Sequence, residues 1–113
     1  MGNSDNNNHT KLCLTYRVEP GCLGPNGIES IEEFCIVAEQ KFSRLEANII
    51  RWKVTPRYDK SLDEIEYSLL GKKLSTSQVD KYLVRFNKSL GSFEEILADK
   101  FSQLIESFLD HER

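Results

Sequence analysis

Histidine is nearly missing from this chain: there are two, His9 and His111, close to opposite ends. With the two so far apart, no zinc site of the paired cysteine–histidine kind is spelled out. Three cysteines, Cys13, Cys22 and Cys35, form an odd set at wide, unpatterned spacing. That points to free thiols in a reducing compartment and away from a disulfide framework. No stretch approaches the roughly 20 apolar residues that cross a bilayer, so no membrane partner is expected. Residues 1–10 are polar and asparagine-rich, without the apolar centre of a secretion signal. Met1-Gly2 is followed at position six by Asn6, where lipidation of the glycine would need Ser or Thr. A cytoplasmic protein is expected. Basic residues are not in excess either: 15 Lys and Arg against 18 Asp and Glu leave a net charge of −3. Phosphate backbones draw proteins with a clear cationic surplus, so nucleic acid is an unfavoured partner.

What is present is a globular composition, 39% apolar and 29% charged over 113 residues, enough for one domain with its own core. Residues 1–10 offer almost nothing to bury and are read as a flexible polar tail; residues 11–113 are read as a single α+β domain. Leu12, Leu14, Tyr16 and Val18 alternate with polar neighbours, the period of a half-buried strand. Pro20 to Gly27, with two prolines and three glycines, is a turn or loop. A helix follows, capped by Ser30 with Glu33 and striped by Ile31, Phe34, Cys35, Ala38, Phe42 and Leu45. Ile36 falls outside that stripe as an isolated exposed apolar residue. Ile50, Trp52 and Val54 mark a second strand that Pro56 ends. Ile65, Tyr67 and Leu69 mark a third, and a short fourth follows at Lys73 and Leu74.

Two helices close the chain. Ser75 with Gln78 caps the first, Val79, Tyr82, Leu83, Phe86 and Leu90 stripe it, and Gly91 is placed to end it. Ser92 with Glu95 caps the second. Its apolar set, Phe93, Ile96, Leu97, Phe101, Leu104, Ile105, Phe108 and Leu109, spreads over roughly 220° of the helix, wider than one core-facing stripe. The expected fold is a three- to four-stranded mixed sheet in the order β-α-β-β-α-α, with all helices on one face. Its first crossover joins parallel strands, and the third strand returns beside the second as a hairpin.

Few residues suggest chemistry. The Pro20–Gly27 loop feeds a helix start, where free N–H groups attract anions and lower a thiol pKa. Cys22, Gly24, Asn26 and Gly27 are therefore the candidate ligand-binding residues. Neither glycine-rich phosphate fingerprint is met, and no histidine stands near as a base. Arg51, Trp52, Lys53, Arg57, Tyr58 and Lys60 mix cations with aromatics, as nucleic-acid binders do. Alternation turns Trp52 inward, however, and a hairpin would pair Lys53 with Glu66 and Thr55 with Glu64. The acidic residues of the first helix, Glu29, Glu32, Glu33, Glu39 and Glu46, read as a solvated face. Asp59, Asp63 and Glu64 lack the spacing of a calcium loop.

No catalytic residue, metal ligand or cofactor is predicted, and an enzyme is the less favoured class. The wide arc of the last helix is the most informative feature. Either the preceding helix covers its excess, or a second chain does, with Ile96, Ile105 and Leu109 as the interface candidates. The leading expectation is a small regulatory or accessory module that acts through association as a homodimer. The alternative is a small-ligand binder or enzyme that uses Cys22 in the 20–27 loop.

Overall fold

The computed structural model describes residues 10–112, so the tail expected over 1–10 lies, apart from Thr10, outside the described residues. Strand β1 (Leu12–Val18) buries Leu12, Leu14, Tyr16 and Val18 and turns Cys13, Thr15 and Arg17 to the other face. A 3-10 turn (Pro20–Leu23) leads into helix α1 (Gly27–Phe42), and strand β2 (Ile50–Pro56) follows. Strands β3 (Ile65–Leu69) and β4 (Lys72–Lys73) come next, then helices α2 (Thr76–Val84) and α3 (Leu90–Glu112). The chain forms one α+β domain with a four-stranded mixed sheet, as the patterning predicts.

The strand order is β2-β1-β3-β4. β1 and β2 are parallel, with Leu14 beside Trp52 and Tyr16 beside Val54. The expected β2–β3 hairpin does not form: β3 runs antiparallel against β1, with Tyr67 beside Leu14 and Glu66 beside Thr15. The reason lies on the outer edge of β2. Pro56 has no N–H to offer, and the Val54 N–H donates to Glu39 Oε1 at 2.8 Å. That edge is closed to a further strand, whereas the far edge of β1 is open. Lys53 and Glu66 are consequently separated by β1, and the expected pairs Lys53–Glu66 and Thr55–Glu64 are replaced. Arg17 takes Glu66 instead, at 2.9 Å, and Arg57 takes Glu19 at 2.7 Å.

The β3–β4 turn has Leu70 at φ 53° and Gly71 at φ 81°. Positive φ at both central residues is the twist that a two-residue hairpin requires. It pairs Leu69 with Lys72 and puts β4 one residue earlier than expected.

The Ser75–Gln78 capping box forms in both directions. The other two expected boxes do not. α1 starts at Gly27 with Asn26 before it, so Ser30 and Glu33 lie inside the helix. α3 starts at Leu90, whose N–H donates to Asp80 Oδ1 at 2.9 Å, while Ser89 Oγ accepts from the Ser92 N–H. Asn87, at φ 66°, is the left-handed residue that ends α2. Around it the Lys88 N–H donates to the Leu83 carbonyl and the Asn87 N–H to that of Val84, the reciprocal pattern of a Schellman ending. Gly91 is therefore inside α3, in its first turn.

All three helices contribute to one core on one sheet face. Phe101 of α3 stacks on Tyr16 with ring centres 4.4 Å apart, and Phe34 of α1 meets both Phe101 and Phe108 edge-on. Trp52 is buried against Phe42 and Phe93, and its Nε1–H donates to the Leu45 carbonyl at 2.8 Å. Tyr82 of α2 donates its hydroxyl to the Thr10 and Ile49 carbonyls.

Candidate functional site

The Pro20–Gly27 loop is shaped by backbone geometry. A side chain at Gly27 would put its first carbon 1.8 Å from the Pro20 carbonyl oxygen, so only glycine lets the turn close on the start of α1. Gly24 has φ 91°, a conformation that other residues rarely adopt. Asn26 precedes α1 without a side-chain capping bond. Cys22 is exposed at the surface. Partial burial, then Glu64 and Glu19, push its thiol above the ordinary value. A nucleophilic cysteine requires the opposite shift.

Cys35 shifts in the same direction. Cys35 is buried in α1 and pushed up to about 12, by burial first and then by Glu39 and Glu32. Tyr67 is likewise raised, by burial and by donating its hydroxyl to Glu94 Oε2 at 2.7 Å. Among the described residues no group of three His, Cys, Asp or Glu side chains could hold a metal ion, and no helix is long and apolar enough to cross a membrane.

The open sheet face carries Cys13, Thr15, Arg17, Arg51, Lys53, Glu66 and Ser68. No aromatic side chain stands among them, because Trp52 and Tyr67 point into the core. Base stacking has no platform there.

The α3 arc is largely absorbed within the chain. Phe93, Leu97, Phe101, Leu104 and Phe108 are buried, and Ile105 and Leu109 pack in part against the core. Ile96 is not covered and stays 50% exposed. At about 100° per residue, Ile105 lies half a turn round the helix from Ile96, on the flank from which Glu94 reaches Tyr67. The three interface candidates therefore sit on opposite flanks of α3 and do not share one surface.

Ile96 borders a groove of about 430 Å³ with Phe93, Val84, Asn87 and the ion pair Lys88–Glu46. Val84 is also exposed, so two apolar side chains stand on this rim. A second apolar surface escapes sequence reasoning. Ile28 and Ile36 are two helical steps apart on α1, both more than 60% exposed. Tyr58, also exposed, comes between them by donating its hydroxyl to Glu32. Ile36, expected to stand alone, thus has Ile28 and Tyr58 on the same surface, because the chain beyond β2 folds back over α1.

No protein family, curated protein or solved structure matches the chain.

Proposed function

We propose that this protein is a non-enzymatic association module, cytoplasmic and homodimeric, whose contact is centred on the Ile96 flank of α3. The observation that carries the reading is the pair Ile96 and Val84, apolar and exposed on the rim of one groove that the buried Phe93 also lines. Apolar side chains clustered at a groove with a polar, ion-paired rim are the usual make-up of an interface core and its border. The raised thiol of Cys22 beside Glu19 and Glu64 supplies no support for catalysis at the 20–27 loop.

The test is molar mass in solution by light scattering across a concentration series. The wild-type chain is expected to be a dimer, and Ile96→Asp a monomer with an unchanged melting curve, because Ile96 is not a core residue. Leu104 or Phe108 would be poor probes, since both are buried and their loss unfolds the chain. A wild-type protein that stays monomeric at high concentration overturns the proposal. A second placement is favoured by the Ile28–Tyr58–Ile36 ridge, and Ile36→Asp distinguishes it: loss of the dimer there, and not with Ile96→Asp, moves the contact to α1.

A further inference from the structure

Beyond the association surface, a second groove of about 340 Å³ lies between the end of α1 and the middle of α3. Its walls are Phe42, Leu45 and Leu104, and every other residue lining it is a cation: Lys41, Arg44 and Lys100. None of the three has a carboxylate within ion-pair distance among the described residues. In a chain of net charge −3, this groove gathers three cations around one apolar floor with no carboxylate among its lining residues. Lys41 and Arg44 at the end of α1 complement the helix dipole. Lys100, midway along α3, has no such role. Gln40 and Val37 extend the same rim.

We propose that this groove binds a free single-chain amphiphile with an anionic head, its tail on Phe42, Leu45 and Leu104 and its head among Lys41, Arg44 and Lys100. A carboxylate or phosphate head can accept charge-assisted hydrogen bonds from all three cations, and the apolar floor rewards a tail in proportion to the area it covers. The volume lies at the small end of the ligand-pocket range of about 300 to 1,000 Å³, which matches a short chain.

The molecule carries its own reporter. Trp52, the single tryptophan, stacks on Phe42 at 5.4 Å and donates to the Leu45 carbonyl, so two of the three floor residues touch it. Titration of the full chain with octanoate and then decanoate, kept below micelle formation, is expected to shift Trp52 emission saturably. The two added methylenes should tighten binding by about fourfold if half buried and about fifteenfold if fully buried. Arg44→Glu and Lys100→Glu should each weaken decanoate binding about tenfold while leaving the melting curve in place, since both side chains are exposed. Equal binding of a decyl trimethylammonium cation overturns the proposal, as does decanoate binding untouched by either charge reversal. Binding to anionic vesicles with none to monomeric decanoate overturns it too and makes the groove a membrane contact.

Discussion

Glycine shows how one side chain's meaning depends on its neighbours. Gly27 and Gly91 look alike as helix punctuation, yet a first side-chain carbon at Gly27 would collide with the Pro20 carbonyl, while at Gly91 it would meet nothing within 4 Å. Gly27→Ala is therefore expected to cost several kcal/mol or abolish folding, about the upper range for single substitutions. Gly91→Ala, inside a helix, should be neutral or stabilise by up to about 1 kcal/mol. Urea denaturation of the two variants checks both signs. Leu70 illustrates a different conflict, an apolar residue held at φ 53° and 80% exposed at a hairpin tip where Asn or Gly is the usual choice. Nothing in the structure explains the leucine.

Helices and strands were legible where one period dominates. Strand β1, the stripes of α1 and α3, and the box at Ser75 follow from spacing and capping chemistry alone. Ser30–Glu33 and Ser92–Glu95 have the same spelling, but each lies one or more residues inside its helix. The chain enters α1 through a glycine turn and α3 through Asp80 and Ser89, contacts that no local pattern encodes. Ser75→Ala is accordingly expected to cost about 1 kcal/mol, as loss of an N-terminal cap does. Ser30→Ala should cost nothing measurable and could gain slightly from helix propensity. Equal effects in chemical denaturation would contradict the assignment of the helix starts.

The molecule as a whole holds several protons more tightly than an unfolded chain would. Tyr16 is pushed up to about 12 by burial, with Glu64, Cys22 and Glu94 adding to it, and Cys35 reaches about 12 from an ordinary 9. Tyr67 shifts the same way. The unfolded chain gives up these protons first as pH rises, so it binds fewer protons than the folded one and stability falls with pH. The stabilising contribution is whole below about pH 9 and is lost progressively toward pH 12. Urea midpoints measured from neutral to strongly alkaline pH should decline over that window, and Cys35→Ala should remove part of the slope. A flat profile would mean that these groups are not buried as described.

Periodicity alone settled the α+β class, the inward set of β1 and β2 including Trp52, and the amphipathic faces of the helices. The physical reason is local: which face of a strand or helix is apolar depends on residues a few positions apart. Strand order, the partners of Arg17 and Arg57, and the distribution of the α3 arc were decided only by the tertiary structure. Those outcomes turn on long-range competition, such as the capture of the Val54 N–H by Glu39 fifteen residues away, which closes one edge and sends β3 to the other. The same holds for the cationic groove: Lys41, Arg44 and Lys100 are ordinary surface residues in sequence, and only the packing of α3 on α1 gathers them over one apolar floor.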